Sequence, residues 1–307
     1  MLASATIRVP SWLRAPLEAE VRRLFFEDEE SAVLFRTPKG EPALAEPGSM
    51  SWQVFKNPCT LFIGGIAAVI LEFAEPRVRS GVWDFSDFRK DPVRRLRRTG
   101  LAAMMTVYGP RSRTEAMIAS VRRMHERVKG ETPEGEPYSA DEPELLAWVQ
   151  ATAAFGFIEA YRHYARKLTV EEAARYYGEG GKSAGLYGST GAPRSEAELR
   201  ALFSRMAVKL EPSPIIAEFL DIMQTAPILP PAARPFQRLM VRAGVSIIPD
   251  WARETLLLGA EWDLSRWERR IVKAAAKIAN RTALDGSPPV EACLRLGLPV
   301  DFLYRRG

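Results

Sequence analysis

Apolar residues recur at helical spacing along most of this chain, and stretches with the two-residue alternation of strands are nearly absent. This pattern predicts an all-α protein. Glycine and proline punctuate the chain rather than cluster, and they predict loops at 40–48, 130–143 and 178–193. The predicted helices cover residues 15–27, 61–74, 92–107, 113–129, 143–167, 169–178, 195–209, 213–224, 232–246, 250–259, 265–280 and 288–295.

The segment between Ser112 and Gly130 has a clear amphipathic pattern. Ser112 and Glu115 have the spacing of a capping box, and Gly130 stands where a left-handed C-cap is common. One face is apolar except for His125, which the spacing directs inward, whereas the other face is charged. An inward histidine on a rigid helix is a candidate ligand for haem iron. The alternative is a core histidine that bonds to a backbone carbonyl, and spacing alone leaves both open.

The predicted helix at 143–167 is apolar on nearly every side, with Gln150 and Thr152 as polar exceptions. A helix of this kind is enclosed by other helices, so we expect it at the centre of the fold. His163 lies near the end of this helix among polar neighbours. The pattern predicts a surface position for His163 rather than a ligand role.

The composition fits a folded protein with a large core, since 47% of the 307 residues are hydrophobic and 26% are charged. The net charge is only +5, and basic and acidic residues alternate, so no nucleic-acid partner is predicted. The exception is an arginine-dense stretch from Arg77 to Arg98, which has no acid after Asp91.

Cys59 and Cys293 lie far apart without metal-ligand spacing, which favours a reduced, intracellular protein. The longest apolar stretch, residues 60–71, is too short to cross a bilayer and contains a glycine pair. The sequence therefore predicts a soluble, cytoplasmic protein without a stable membrane span.

The sequence does not support several common kinds of catalytic or binding site. Two histidines and two distant cysteines do not suit a structural zinc site, and no nucleophile elbow occurs. The run from Gly180 to Ser183 resembles the end of a phosphate-binding loop. However, Tyr176 stands where the first glycine belongs and no strand precedes it, so a plain loop is predicted.

A second cluster of candidate residues begins at Asp91, which can cap a helix that starts at the following proline. Arg95 and Thr99 are four residues apart and share a helical face, with Arg98 close by. An arginine and a hydroxyl together suit an anionic group or a polarised ligand, and a solvated arginine face is the alternative. Glu75 ends the apolar helix, where the helix dipole disfavours a carboxylate, and this predicts a partner such as a nearby arginine.

Four ordered blocks carry a family resemblance. The glycine pair at 64–65 precedes EPRVRSGV at 75–82, then DPVRRLRRT at 91–99, VRRMHERVKG at 121–130, and EPELLAWVQAT at 142–152. These blocks resemble the MpaB/rubber oxygenase family, also known as DUF2236, and the matches run in order from about residue 60 to 180.

The resemblance implies a globin-like helical core that binds haem b, as in the latex-clearing members of the family. His125 would be the proximal iron ligand. Arg95 and Thr99 would match residues that are functionally important near the haem, and we assign Arg98 to cofactor binding with them. The implied reaction uses O₂ to cleave an isoprenoid double bond, so the expected partners are O₂ and a small apolar substrate.

Three positions depart from the family pattern. Glu75 and Gln150 stand where relatives usually have histidines, which implies altered or lost chemistry, or substitution of the hydrogen bonds around the pocket. Glu75 is a candidate base toward substrate, a role that requires a raised pKa. Arg98 replaces a lysine that ligates iron in closed latex-clearing proteins, and a guanidinium stays protonated, so the distal side is expected to be open or water-bound.

Together these features predict one helical domain over 1–307, with a core at about 50–225, a C-terminal extension at about 226–307, and an additional N-terminal helix. The expected function is a haem-dependent oxygenase for an isoprenoid or lipid-like substrate. The alternatives are a haem- or lipid-binding protein without turnover and a purely structural helical protein.

Overall fold

The computed structural model describes residues 18, 19, 23 and 29–305. These residues form fourteen α-helices and one small antiparallel sheet, and 67% of the structure is helical. The predicted all-α class is therefore confirmed. Most of the predicted helix at 15–27 lies outside the described residues, although residues 18, 19 and 23 are helical.

The helices are numbered in chain order. They are α1 (Glu29–Arg36), α2 (Met50–Phe55), α3 (Pro58–Ala74), α4 (Pro76–Phe85), α5 (Pro92–Tyr108), α6 (Arg111–His125), α7 (Pro143–Ala160), α8 (Val170–Leu186), α9 (Glu196–Met206), α10 (Pro214–Thr225), α11 (Arg234–Val245), α12 (Asp250–Thr255), α13 (Arg266–Ala279) and α14 (Pro288–Arg295). Strands β1 (Lys129–Glu131) and β2 (Pro137–Ser139) pair between α6 and α7. A single π-helical turn, Tyr161–Ala165, extends α7.

Helix α7 lies at the centre, as its sequence predicts, and crosses α3 at a pair of glycines. A Cβ atom on Gly64 would stand 2.6 Å from the carbonyl oxygen of Gly156, and a Cβ on Gly156 would likewise overlap Gly64. The indole of Trp148 donates a hydrogen bond to the Leu71 carbonyl across the same interface, at 3.1 Å. The close backbone contact requires glycine in both helices, and this fixes how the two central helices sit against each other.

Helix α6 differs from its prediction at both ends. It starts at Arg111 after Pro110, and Ser112 does not cap it. Instead, the carboxylate of Glu41 accepts hydrogen bonds from the Ser112 backbone N–H and hydroxyl, at 2.5 and 3.0 Å. The predicted capping box and the Gly130 C-cap are therefore wrong, because a distant loop supplies the cap and Gly130 lies in β1.

Helix α8 runs well past the predicted end at residue 178. The Thr169–Glu172 capping box starts it, and it buries Ala173, Tyr177 and Ala184 on one face. The Gly180–Ser183 run therefore lies inside a helix, so it is neither a phosphate-binding loop nor the plain loop that the sequence predicts. Burial of this face outweighs the poor helix propensity of glycine.

The C-terminal helices pack closely against the central ones. Gly244 of α11 meets α3, where an added Cβ would stand 2.6 Å from the Ile66 side chain. Arg295 of α14 is buried and donates hydrogen bonds to the carbonyls of Phe35, Glu41 and Tyr108. The predicted division into a core and a C-terminal extension stays a prediction.

Within the described ranges, no single helix has both the length and the apolar composition that a membrane crossing requires. Helices α3 and α4 meet that test only as a joined pair, and this pair is bent by 111°.

Candidate functional site

A large cavity of about 1800 Å³ is lined by residues of α3, α5, α6, α7 and α8, and also by residues of the C-terminal helices α10, α11 and α13. It exceeds the roughly 300–1,000 Å³ of most small-molecule sites. Apolar side chains such as Phe62, Val69, Leu101, Met117 and Phe157 supply most of its surface. A cavity of this size and character suits a long apolar molecule, with or without a flat cofactor beside it.

His125 is the last residue of α6 and lines this cavity. Its Nδ1 atom is buried, and no described residue accepts or donates a hydrogen bond there. Burial lowers the pKa of His125, the nearby charge of Arg95 lowers it further, and Asp141 acts in the opposite direction. The neutral imidazole is thus favoured, and this is the form that ligates metals. Among the described residues, no backbone carbonyl forms the hydrogen bond with His125 Nδ1 that would mark a purely structural histidine.

His125 also lines a smaller pocket of about 130 Å³. Asp141, Leu146 and Tyr187 line this pocket, and the Asp141 carboxylate accepts a hydrogen bond from the Ser139 hydroxyl. A carboxylate beside a metal-ligating histidine is a common orienting group.

Arg95 and Thr99 share one face of α5, as their spacing predicts. Arg95 Nη1 donates to Thr99 Oγ1 at 2.6 Å, and that hydroxyl donates to the Arg95 carbonyl at 2.9 Å. Both residues and Arg98 line the cavity that His125 lines. Burial lowers the pKa of Arg95, as does the charge of Arg98, while Glu72 opposes the shift. The structure therefore brings together four of the five residues that the sequence proposes for cofactor binding and catalysis, and Glu75 is the exception.

Glu72 is a residue of the site that sequence reasoning missed. It is the sole charged residue of α3, lines the cavity, and lies near Arg95 and Thr152. Desolvation raises its pKa to about 7, while Arg95 and a hydrogen bond with Thr152 lower it. A carboxyl group with a pKa near neutrality can exchange a proton with a bound molecule. The signal in the sequence was one acid in an otherwise apolar helix.

Glu75 is not among the residues that line the cavity. It ends α3 and caps α4, since its carboxylate accepts from the Val78 N–H at 2.8 Å and from Arg77 Nε at 2.7 Å. The expected arginine partner is therefore confirmed as Arg77, whereas the role of base toward substrate stays a prediction. Gln150, at the other departing position, does line the cavity.

His163 lies near the surface, with 53% of its side chain exposed, and its Nδ1 atom contacts the Glu159 carbonyl at 3.0 Å. The predicted surface position is therefore confirmed. Across residues 29–305 and the three described positions before them, no group of three or more His, Cys, Asp or Glu side chains could hold a metal ion.

Glu72→Gln is expected to remove a pH dependence of stability. The pKa of Glu72 is raised by folding, so its stabilising contribution is complete below the unfolded value of about 4.3 and is lost as pH rises through about 7. Relative to the unaltered protein, the variant should therefore gain up to a few kcal/mol in free energy of unfolding between pH 4.5 and 8. Urea titrations across this range measure it. Glu115→Gln, an exposed position on α6, is the control, and an equal gain there would contradict the assignment.

Comparison with known proteins gives one family. Neither a curated protein nor a solved structure matches this chain. The family model for the ER-bound oxygenase mpaB/B′/rubber oxygenase catalytic domain matches residues 52–281. The matched region contains α3 and α5 to α8, which line the cavity, together with His125, Arg95, Thr99 and Glu72. The chain therefore belongs to the mpaB/rubber oxygenase family.

Proposed function

We propose that this chain is an O₂-dependent oxygenase that holds haem b through His125 and acts on an apolar, isoprenoid-like or lipid-like substrate in the large cavity. The observation that carries this proposal is the meeting of His125, Arg95, Arg98 and Thr99 on one apolar cavity. Membership of an oxygenase family supports the reaction type.

The residues present fit a haem group. A ligating histidine needs a neutral ring with one nitrogen free to bind, and no described residue hydrogen-bonds His125 at Nδ1 while its lowered pKa favours the neutral form. Arg95 and Arg98 would pair with the haem propionates, and the lack of an ion pair between either arginine and a carboxylate within the described part of the chain supports this role. Bound haem would supply the iron chemistry that activates O₂.

The side chains and the cavity wall would exclude water, orient the substrate and exchange protons. The apolar surface excludes water and holds an alkene in a restricted set of orientations. Thr99 holds Arg95 in place, since its hydroxyl accepts from Arg95 Nη1 and donates to the Arg95 carbonyl, while Arg95 Nε is a buried donor without a partner among the described residues. Glu72 holds or releases a proton near Arg95 at neutral pH.

Oxygen uptake tests the proposal. Protein loaded with hemin is incubated with squalene or oleate, with and without a reductant, and O₂ consumption and products are followed. Uptake that depends on substrate supports the oxygenase. Stable hemin binding without any such uptake would favour the second candidate, a haem- or lipid-binding protein without turnover. Gln150 and Glu75, which stand in place of the family's histidines, support this second candidate.

Arg95→Ala is expected to reduce substrate-dependent O₂ uptake by about 10- to 100-fold, because a charged hydrogen bond contributes about 1.5–3 kcal/mol. Arg238→Ala is the matched control, since Arg238 is exposed on α11 and does not line the cavity. Equal losses in both variants would remove Arg95 from the site.

A further inference from the structure

Three arginines stand at the open edge of the large cavity. Arg98 lies on α5, Arg123 on α6, and Arg127 in the turn that follows α6. Each of them lines the cavity and is also exposed to solvent. We call these three residues the arginine rim. Met124, half of which is exposed, lies between two of them in sequence and lines the same edge.

The arginine rim lacks the carboxylate partners that ten other arginines have among the described residues. Arg79 pairs with Glu211, Arg89 with Glu218, and Arg253 with Asp263. Further arginine–carboxylate pairs occur at Arg36, Arg77, Arg162, Arg166, Arg200, Arg242 and Arg305. Among the described residues, no carboxylate lies within ion-pair distance of Arg98, Arg123 or Arg127. Their positive charges are therefore available to an anion in solvent or in the cavity.

The charge along the cavity exceeds what a haem group neutralises. Seven basic and two acidic side chains line the cavity, although the molecule as a whole is close to balanced. The basic residues are Lys56, Arg77, Arg94, Arg95, Arg98, Arg123 and Arg127, and the acidic residues are Glu72 and Asp87. Three of the seven have other partners, since Lys56 donates to the Leu303 carbonyl, Arg77 pairs with Glu75, and Arg94 has an interaction of its own. Two propionates would pair with Arg95 and Arg98, and this leaves Arg123 and Arg127 uncompensated.

We infer that Arg123 and Arg127 of the rim bind the anionic head group of an amphiphilic substrate whose apolar chain extends into the cavity. This inference rests on the proposed function and specifies its substrate as a single-chain amphiphile with a carboxylate or phosphate head. Guanidinium groups bind both head groups through paired hydrogen bonds, and the apolar wall binds the chain. A neutral hydrocarbon would form no ion pair or hydrogen bond with the arginine rim.

Three ligands with the same chain test the inference: oleate, oleyl phosphate and oleyl alcohol. Their affinities for the hemin-loaded protein are measured by isothermal titration calorimetry below the concentration at which they form micelles. At least one of the anions should bind about tenfold or more tightly than the alcohol, which corresponds to about 1.4 kcal/mol. The relative affinities of oleate and oleyl phosphate distinguish a carboxylate from a phosphate head.

The double variant Arg123→Gln/Arg127→Gln should lose at least fivefold of the preference for the anion and keep its affinity for oleyl alcohol. Arg123→Lys/Arg127→Lys should restore part of the preference, because it keeps the charge without the planar fork. Arg111→Gln is the control, since Arg111 is exposed at the other end of α6 and does not line the cavity. It should behave like the unaltered protein.

Three results would overturn the inference. The first is equal binding of anion and alcohol by the unaltered protein, and the second is an equal loss of affinity for both in the double variant. The third is rim-dependent binding to vesicles that contain anionic phospholipid, without binding of monomeric oleate or oleyl phosphate, which would make the arginine rim a membrane contact.

Hemin titration monitored at the Soret band is a separate readout. If the arginine rim gives no preference for the anions but hemin binds normally, only this inference is rejected. If the protein does not bind hemin, the proposed function is rejected.

Discussion

His125→Ala is expected to abolish stoichiometric hemin binding while the helical far-UV signal is retained. His125 is the histidine that lines the cavity, and burial lowers its pKa, which favours the neutral imidazole that can ligate a metal. The side chain forms no hydrogen bond with the described residues that would tie it to the fold. Removal should therefore take away the ligand without unfolding α6. The measurement is a visible spectrum during hemin titration, before and after reduction with dithionite.

The chain offers a matched control, because it has only one other histidine. His163→Ala removes a half-exposed imidazole on the π-helical turn after α7 and should leave the Soret band and its shift on reduction unchanged. If the His125 variant keeps a stoichiometric, reducible haem, His125 is not the ligand. If the unaltered protein shows no spectral change on hemin addition, haem binding itself is rejected.

The second large effect is expected at the crossing of the two central helices. Gly64→Ala would place a methyl group 2.6 Å from the Gly156 carbonyl oxygen and 2.8 Å from the Phe157 Cα. Overpacking of a close-packed core costs about 1–3 kcal/mol. The cost here should reach at least the upper part of that range, because the contacted atoms are backbone and cannot rotate away. Urea unfolding measures the loss.

Gly65→Ala is the control for this prediction. The next residue of the same helix has nothing within 4 Å of an added Cβ, so alanine fits there. It should stabilise α3 by about 0.5–1 kcal/mol, since alanine loses less backbone entropy than glycine in a helix. A similar loss in both variants would mean that helix propensity rather than the crossing determines the result, and no loss in Gly64→Ala would show that the helices can move apart freely.

The sequence predicted those features of the fold that depend on neighbours in the chain. Asp91 caps α5 through the Arg94 N–H at 3.0 Å, and Arg95 contacts Thr99 one turn later. The bounds of α14 agree with the prediction residue for residue. Helices α1, α2 and α4 and the β1–β2 hairpin were missed, and of these the two strands have three residues each and α2 has six, too few to show a clear period.

The predictions that failed depend on residues far apart in sequence. Glu41 supplies the cap of Ser112 across 71 positions, and no local pattern contains that information. Helix α8 continues through its glycines because its buried face packs against the rest of the molecule. The sequence did not reveal Glu72 as a site residue because Glu72 interacts with Arg95 and Thr152, which lie on two other helices.

By itself the sequence determined the helical class, the residues that make up the family motifs, and the shared face of Arg95 and Thr99 on α5, because these follow from spacing along one chain segment. The predicted inward face of α6 was only partly correct, since Ile118 is buried whereas Met124 is 49% exposed. Only the tertiary structure decided that His125, Arg95 and Glu72 border one cavity, that Glu75 serves as a helix cap, and that Arg98, Arg123 and Arg127 lack carboxylate partners among the described residues. The physical reason is that burial, pKa and ion pairing depend on distances between helices, and the packing of α3 against α7 through Gly64 and Gly156 establishes those distances.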